Sequence, residues 1–419
     1  MKAGWKLATL GDVCDLINRG ISPKYLEKGG VCVLNQKCIR DHVINYDLAR
    51  RHDVTVKKVN EERFIHVGDV LVNSTGTGTL GRVAQIRQEP KDPTTVDSHV
   101  TIVRPKSNIF FQDFFGYMLI FIEDSIKAAG EGCGGQTELA KSVLANNFTV
   151  AYPTSLVEQQ RIVTILDEAF EAIAAARANA EHNRQNARAL FESYLQSVFS
   201  QRGEGWKKVP LGGLCDFLNG YAFKSDDATS DSNTQLVRMG NLYGNKLDLD
   251  RNPVFYPDNY AADYKRFILS PGDLVMSLTG TTGKEDYGFA VQIPEADRVL
   301  LLNQRIAKFD SIKEDLVCRE YLLHYLRSRV FLDLLYPTAN GTRQANLSTV
   351  TMKTLPVWLC SIPEQKTIVA SLDAMQIDTQ RLESLYQRKI AALDELKQSL
   401  LQQAFSGQLD TTRVEVLTP

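Results

Sequence analysis

The alternation of apolar and polar residues divides the chain into two kinds of segment. Short apolar runs that alternate with polar residues fill residues 1–153 and 203–360, as in Phe64-Ile65-His66-Val67-Gly68-Asp69-Val70-Leu71-Val72. This two-residue period, broken by Gly, Asn, Asp and Thr turns, predicts strand-rich domains. Residues 155–200 and 363–406 contain no internal Gly or Pro, and each therefore predicts one long helix.

The same order of motifs occurs twice along the chain. The matching segments are Trp5-Lys6-Leu7-Ala8-Thr9-Leu10-Gly11 with Trp206-Lys207-Lys208-Val209-Pro210-Leu211-Gly212, Gly68-Asp69 and Thr75-Gly76-Thr77 with Gly272-Asp273 and Thr279-Gly280-Thr281, and Glu158-Gln159 with Glu364-Gln365. Such self-similarity indicates two copies of one module of about 200 residues. We predict five segments: a first globular domain (1–153), a first long helix (154–202), a second globular domain (203–360), a second long helix (361–408) and a C-terminal tail (409–419).

The two helices share a heptad frame of apolar positions. A 3.5-residue repeat predicts lengthwise helix packing, whereas two ordinary amphipathic helices on separate cores are the alternative. The predicted fold class is α/β (α+β, strand-rich) globular domains in tandem duplicate, joined by two long antiparallel coiled-coil helices with pseudo-twofold symmetry. The predicted seam residues are Ile162, Leu166, Ala169, Ile173, Ala176, Ala180, Ala187, Leu190, Ile368, Leu372, Met375, Leu382, Leu393, Leu396 and Leu400.

Composition narrows the class of protein. The chain has 48 Lys and Arg against 50 Asp and Glu, so its net charge of −2 excludes a uniformly basic nucleic-acid coat but not a local basic face. Its seven cysteines include no Cys-x-x-Cys, which argues against a disulfide framework or a zinc ribbon and suits a reducing cytosol. We find no secretory signal and no apolar run long enough for a membrane span, so we predict a cytoplasmic protein.

Two motifs suggest chemistry that their surroundings do not support. Gly76-Thr77-Gly78-Thr79-Leu80-Gly81 has the glycine spacing of a dinucleotide loop, but the residues after it alternate like a strand, which favours a hairpin turn. Asp69 with Glu89-Pro90-Lys91 fits a loose magnesium nuclease spacing that the second copy lacks. The six histidines show no metal spacing on a helix, and no Ser or Cys lies in a nucleophile motif. We therefore predict no catalytic residue, no metal site and no cofactor in this chain.

Taken together, the duplicated motifs resemble those of the specificity (S) subunits of type I restriction–modification systems. These motifs are Trp-x4-Leu-Gly, then Gly-Asp before a Thr-Gly-Thr turn, then Glu-Gln-x-x-Ile at the start of a helix, and they span essentially the whole chain. The resemblance implies that each globular domain is a target recognition domain for one half of a bipartite, asymmetric DNA sequence. It also implies that the helices set the gap and dock two methyltransferase subunits.

The resemblance further implies which activities lie elsewhere in the complex. Restriction subunits would join through the methyltransferase subunits, and S-adenosylmethionine, ATP and magnesium would belong to those partners. The chain itself would be a non-catalytic, DNA-binding part of a host-defence system that depends on DNA methylation. The alternative is a pseudo-symmetric protein-binding scaffold without DNA specificity, which the near-neutral domains favour slightly.

Base recognition requires Arg or Lys for guanine, Asn or Gln for adenine, and Ser or Thr for phosphate. His99 is either a contact residue or a loop histidine with its hydrogen bonds satisfied. The predicted DNA-binding residues of the two copies are Arg19, Lys24, Asn35, Gln36, Lys37, Arg40, Ser74, Thr75, Thr77, Arg82, Gln136 and Thr137, and Lys224, Arg238, Asn241, Thr279, Thr281, Thr282, Lys284, Gln304, Arg305, Thr342, Arg343 and Gln344.

Overall fold

The described chain forms two compact units. The structure, a computed structural model, describes residues 2–133 and 136–412, without the side chains of residues 131–137. Unit 1 comprises residues 1–180 and 388–419, and unit 2 comprises residues 181–387. The division falls inside both long helices, so each unit contains one globular domain and a segment of each helix.

Unit 1 consists of short strands and short helices ahead of the first long helix. Its strands are β1 (Trp5–Thr9), β2 (Cys14–Arg19), β3 (Tyr25–Leu26), β4 (Val31–Leu34), β5 (Ile39–Arg40), β6 (Val43–Ile44), β7 (Arg50–His52), β8 (Val70–Asn73), β9 (Val83–Gln85), β10 (Thr94–Val96), β11 (Val100–Pro105), β12 (Glu131–Cys133), β13 (Gln136–Glu138) and β14 (Thr149–Pro153). Its helices are α1 (Leu10–Val13), α2 (Gln112–Phe121), α3 (Glu123–Ala128), α4 (Lys141–Asn146) and the first part of α5 (Leu156–Ser200).

Unit 2 follows the same plan. Its strands are β15 (Lys207–Pro210), β16 (Asp216–Asn219), β17 (Thr234–Val237), β18 (Phe255–Tyr256), β19 (Ile268–Leu269), β20 (Leu274–Ser277), β21 (Thr279–Thr281), β22 (Ala290–Gln292), β23 (Val299–Leu302), β24 (Ile306–Asp310), β25 (Gln344–Asn346) and β26 (Pro356–Leu359). Its helices are α6 (Asn259–Asp263), α7 (Arg319–Arg327), α8 (Arg329–Leu335), α9 (Thr349–Met352) and the first part of α10 (Ile362–Ser406).

Each unit contains two four-stranded sheets, one of which has the same strand order in both units. One has the order β2-β11-β8-β9 in unit 1 and β16-β24-β20-β22 in unit 2, and its strands are antiparallel. The other contains one parallel pair, β4 with β10 or β17 with β23. The tandem, strand-rich fold class predicted from the duplication is thus confirmed.

The Gly-Asp-apolar motif builds the central strand of the antiparallel sheet. Val70 and Val72 face the helices while Leu71 faces the other sheet, and all three are fully buried. Such alternation follows from the two-residue period of a strand when both faces of the sheet are covered. The buried carboxylate of Asp69 then ties the strand to its neighbour, since it forms an ion pair with Arg104 at 2.8 Å. Asp273 pairs with Lys308 at 3.0 Å in the same place in unit 2.

One glycine in each unit permits a close approach of two chains. A Cβ atom built on Gly20 would lie 1.9 Å from the carbonyl oxygen of Val96, and one on Gly220 would lie 2.2 Å from that of Asn303. Because these atoms belong to the backbone, they cannot move aside as a flexible side chain would. The segment after β2 or β16 is therefore fixed against the end of the parallel strand pair.

The two long helices have nearly the predicted bounds and run antiparallel within each unit. In unit 1, Arg177 forms an ion pair with Asp394 at 3.1 Å, and the ammonium of Lys397 lies 5.1 Å from the ring centroid of Phe170. In unit 2, Arg184 donates a hydrogen bond to Gln387, and Arg188 forms an ion pair with Glu383 at 2.6 Å. As the residue numbers rise along α5, those of the contacting residues on α10 fall. The helices therefore run antiparallel, as predicted.

The buried seam differs from the predicted one at three positions. Leu190, Leu382 and Leu396 are exposed, at 50%, 38% and 47% of their surface, so their prediction as seam residues is wrong. The residues that follow them, Phe191, Glu383 and Lys397, are more buried, and Ala180, Ala187 and Leu372 remain in the seam as predicted. The frame is shifted because long polar side chains cover the seam with their aliphatic stems, which a count of apolar residues does not detect.

A buried glutamine joins each globular domain to the start of its long helix. Gln159 accepts a hydrogen bond from the amide of Phe111 at 2.7 Å and donates to the carbonyls of Ile109 and Pro153. Gln365 accepts from the amide of Cys318 at 2.9 Å and donates to the carbonyls of Leu316 and Cys360. Both side chains are fully buried, so the repeated Glu-Gln motif has a structural role.

Two predictions from composition concern the whole described chain. The cysteines among the described side chains are free thiols, and burial raises the pKa of Cys14 and of Cys215 to about 12. No helix in the part of the chain that the structure describes is long and apolar enough to cross a membrane.

Candidate nucleic-acid interface

Three loops meet where the two parallel strands of each unit end. In unit 1 they are residues 35–38 after β4, 74–79 after β8 and 97–99 after β10; in unit 2 they are residues 238–241, 278–282 and 303–305. The carboxyl ends of parallel strands lie at one edge of a sheet, so their loops are brought together. We call these three loops the loop edge of each unit.

Hydrogen bonds connect the first two loops in both units. In unit 1, the amide of the Asn73 side chain donates to the carbonyl of Gln36 at 3.0 Å, and the Thr79 hydroxyl donates to the Gln36 side chain at 3.1 Å. In unit 2, the Thr279 hydroxyl lies 3.0 Å from the sulfur of Met239. The Thr-Gly-Thr turn therefore packs against the loop that follows the parallel strand.

The third loop forms the same turn in both units. The Oδ1 atom of Asp97 accepts the amide of His99 at 2.9 Å, and that of Asn303 accepts the amide of Arg305 at 3.1 Å. The carbonyls of His99 and Arg305 accept the amides of Ser74 and Leu278, both at 2.8 Å. Burial raises the pKa of the Asp97 carboxyl, although the His99 amide partly opposes this. One turn thus presents histidine in unit 1 and arginine in unit 2.

A second strand reinforces the Thr-Gly-Thr turn. In unit 2, Thr279 pairs with Asn346 and Thr281 with Gln344 in a two-stranded sheet, and in unit 1 Thr75 bridges to Glu138. Asp286 accepts the amide and the hydroxyl of Thr281, both at 2.7 Å, which holds the pKa of Asp286 below its ordinary value against the effect of burial. The turn is therefore a fixed support for the loop edge.

The loop edge of unit 2 borders a groove of about 660 Å³. Its lining includes the arginines Arg238, Arg251 and Arg305, the polar side chains of Asn303 and Gln304, and an aromatic wall of Phe223 and Tyr256. Among the described residues that line it there is no carboxylate. A groove with three guanidinium groups and no acidic lining attracts an anionic or acceptor-rich ligand.

A family model described as the type I restriction modification DNA specificity domain matches residues 2–181 and again residues 203–391. The two matches cover most of the chain and coincide with the internal duplication. The chain belongs to this family. This membership confirms the resemblance to type I specificity subunits that the repeated motifs indicate.

Individual relatives agree with this assignment. The chain is similar to the Escherichia coli type I restriction enzyme EcoAI specificity subunit, with 31% identity over 173 residues, which span 41% of this chain and 28% of that protein. A chain from a solved type I R-M system assembly matches its fold over 98% of this chain and 99% of that chain, with a TM-score of 0.76 and 19% identity. The HsdS subunit from Thermoanaerobacter tengcongensis matches over 98% of both chains, with a TM-score of 0.57 and 19% identity.

Three residues predicted to contact DNA are buried supports of the specificity subunit. Ser74 is fully buried and bonds to Thr101, Asn241 is 2% exposed, and Thr279 is 8% exposed. The Asn241 side chain accepts the amide of Arg238 at 2.8 Å and donates to two carbonyls, which closes its loop. Their prediction as contacts is corrected, because these buried side chains are bonded to neighbouring atoms of the domain.

Several other predicted residues reach the surface but are bonded within the specificity subunit; the Arg238 guanidinium, for example, donates to the carbonyl of Asn252. Arg19 forms an ion pair with Glu138 at 2.6 Å, Asn35 accepts the amide of Lys37 at 2.9 Å, and Arg82 donates to the carbonyl of Gly78 at 2.9 Å. Thr281 is bonded to Asp286, as described above. Each of these side chains has an internal partner, which restricts the orientation it can take toward DNA.

The other predicted contacts remain predictions. Gln136 and Thr137 lie outside the described side chains. Gln36, Thr75 and Arg238 are half-buried at the loop edges, and the exposed residues are Lys24, Lys37, Arg40, Thr77, Lys224, Thr282, Lys284, Gln304, Arg305, Thr342, Arg343 and Gln344.

The sequence did not single out Arg251 or Asn303, which the fold adds to the groove. Asn303 could have been found by aligning Asp-x-His in the first copy with Asn-x-Arg in the second, since both precede a strand. Arg251 gives no such signal, because only the fold brings residues 251–254 beside the end of β17.

The two motifs that suggested other chemistry have structural roles. Strand β9, not a helix, follows Gly81, so no helix N-terminus faces a phosphate there. Asp69 is buried in its ion pair with Arg104. No cluster of three metal-ligating side chains is found among the described residues.

Proposed function

We propose that this specificity subunit recognises a two-part DNA sequence, with unit 1 at one half-site and unit 2 at the other. In this proposal, residues 1–153 and 203–360 are the two target recognition domains. The observation that supports it is the loop edge, where equivalent frameworks carry different side chains in the two units. Since the side chains differ, the half-sites differ, and the target is asymmetric.

The long helices are proposed to set the gap between the half-sites and to dock methyltransferase subunits. Both helices run without interruption through the division between the units. In unit 2 they also carry exposed apolar side chains, namely Leu190 at 50%, Ile377 at 64% and Leu385 at 49%. We expect these apolar side chains to lie against the docked subunit.

Partner subunits are also proposed to supply most of the affinity for phosphate. The net charge of −2 leaves this chain few cations in excess for the DNA backbone. We expect the methyltransferase subunits to bring S-adenosylmethionine, and the restriction subunits, joined through them, to bring ATP-dependent cleavage with magnesium.

The test is to co-express the chain with its candidate methyltransferase subunit and to map methylated bases across the host genome. The expected result is a two-part motif with a fixed gap, absent when the methyltransferase subunit is expressed alone. A stable complex that leaves the DNA unmethylated would contradict the proposal and would favour a protein-binding scaffold.

A second experiment tests the role of the helices separately. One heptad inserted into both helices, after Ala180 and after Gln387, keeps the seam in register and adds about 10 Å. The gap should lengthen by about three base pairs at ~3.4 Å each while both half-sites stay the same. A change in either half-site would show that the helices do more than set the distance.

A further inference from the structure

His99 and Arg305 occupy equivalent tips of the two loop edges. Each follows a buried parallel strand by three residues, and each has its amide bonded to the side chain two residues before it, at 2.9 and 3.1 Å. Each carbonyl is bonded to the loop after the central antiparallel strand at 2.8 Å. The backbone is therefore fixed in the same way in both units, and only the side chain differs.

The exposed side chain of Arg305 is available to a ligand. Within the described part of the chain it makes no side-chain hydrogen bond or ion pair, and it borders the carboxylate-free groove. Arg329, another exposed arginine of unit 2, is instead bonded to Glu285 and Asp333, each at 2.6 Å. Of these two arginines, only Arg305 therefore has a planar guanidinium group that is available to a ligand.

In unit 1 the same position carries a different donor and acceptor set. The Nδ1 atom of His99 lies 2.6 Å from the hydroxyl of Thr75, which orients the ring and leaves Nε2 directed away from that contact. A histidine offers one ring nitrogen here, whereas an arginine offers two parallel donors. The two units therefore present different hydrogen-bonding patterns at one equivalent point.

We propose that Arg305 recognises a guanine in the half-site of unit 2, and that His99 sets the base preference at the equivalent position in unit 1. This proposal rests on the proposed function. Guanine presents O6 and N7 as paired acceptors in the major groove, which match the arginine fork. The exposed side chain of Gln304 lines the same groove and is of the type that pairs with base edges, so a base is favoured over a backbone phosphate.

The test compares Arg305→Lys with the wild-type chain in the reconstituted complex with its methyltransferase subunit. Lysine keeps the charge but replaces the planar fork by a single ammonium group, so it weakens the paired contact with guanine while it preserves a contact with phosphate. Each complex methylates a DNA library in which every position of both half-sites is varied. Arg329→Lys is the matched control, because its carboxylate partners already occupy that fork.

The expected result is a loss of guanine preference of about 10- to 100-fold at one position of one half-site. The other half-site should be unchanged, and Arg329→Lys should behave as the wild type. A uniform loss across all targets with the base preference intact would show a phosphate contact and overturn the proposal. A wild-type complex without a two-part motif would overturn the proposed function, and this proposal with it.

Exchanging the residue types at positions 99 and 305 provides a second test. Arg305→His should alter the base preference of the unit 2 half-site, and His99→Arg should alter only the other one. Since both side chains are exposed, the fold should be retained, which the thermal unfolding of each variant checks. Retention of both wild-type half-sites by the exchanged variants would overturn the proposal.

Discussion

In each unit, two polar contacts attach the globular domain to its long helix. One contact is the same in both units, and the other differs. The buried glutamines, Gln159 and Gln365, make the same three hydrogen bonds to backbone groups. A few turns further along, the hydroxyl of Tyr117 on α2 donates to Asp167 in unit 1, whereas Nε2 of His324 on α7 lies 2.9 Å from Asp373 in unit 2.

This comparison separates a contact that the fold requires from one whose residue can vary between the units. A glutamine that satisfies three backbone groups has no equivalent substitute, because any change leaves buried donors or acceptors without partners. A carboxylate on the helix can accept from tyrosine or from histidine, so that position tolerates a change of residue. The consequence is that the units share their architecture but should respond differently to pH.

Removal of the shared contact should have the largest effect. Gln159→Leu or Gln365→Leu leaves three buried backbone groups unpaired, and we expect each to lower the free energy of unfolding of its own unit by about 3 kcal/mol or more. Hydrogen exchange measured by mass spectrometry reports each unit separately. The exposed Gln380→Leu on α10 is the control, and equal behaviour of the control and Gln365→Leu would contradict the role assigned to the glutamine.

An acid response confined to unit 1 is the next largest effect. Burial alone would raise the pKa of Glu123, but hydrogen bonds from His42 and Lys127 outweigh it and lower the pKa to about 2. Because the folded value lies below the ordinary value of 4.5, this stabilisation is complete above about pH 4.5 and is lost as the pH falls toward 2.

The loss should be on the order of 2–3 kcal/mol in unit 1. Glu123→Gln should be less stable than the wild type at pH 7 and should approach it near pH 2. Chemical denaturation followed across this range measures the difference. A constant difference between the two proteins at every pH would rule out the ionised Glu123 as its cause.

A milder acid response is expected in unit 2. Burial lowers the pKa of His324, and the hydrogen bond that its Nε2–H donates to Asp373 only partly opposes this. The unfolded histidine then binds a proton more readily than the folded one, so stability is greatest above about pH 6.5 and declines as the pH falls through that value.

His324→Gln retains a donor for Asp373 but does not titrate. Unit 2 of this variant should keep a constant hydrogen-exchange protection between pH 7.5 and 5.5, while the wild type loses protection. Unit 1, with Tyr117 at this position, provides an internal reference. If unit 2 of the wild type is insensitive to this pH range, the comparison of the two contacts is wrong.

The ion pairs between the helices should contribute least. Both side chains of the pair Arg177–Asp394 in unit 1 are 56% exposed, and Arg188, which pairs with Glu383 in unit 2, is 59% exposed. Exposed pairs stabilise by about 0–1 kcal/mol and weaken with salt. Double-mutant cycles in low and high salt should give small, similar coupling energies in both units.

The sequence predicts the plan of this fold better than its contacts. The duplication and the absence of Gly and Pro from two long segments predict tandem domains and paired helices, and both are present. The seam shift at Glu383 and Lys397 could not be predicted, because polar residues bury their stems there. The roles of Ser74 and Asn241 could not be predicted either, since a polar loop residue has the same signature whether it closes a turn or meets a ligand.

The core of unit 1 draws on both ends of the polypeptide. Phe405 packs 5.3 Å from the ring centroids of Phe114 and Phe121, and Leu401 and Leu409 join the same cluster. During translation, all residues of unit 2 have therefore been synthesised by residue 387. Unit 1, whose synthesis began first, still lacks part of its core at that point. We expect nascent chains stopped before residue 388 to expose Phe114 and Phe121, so the domain synthesised first is the last to become stable.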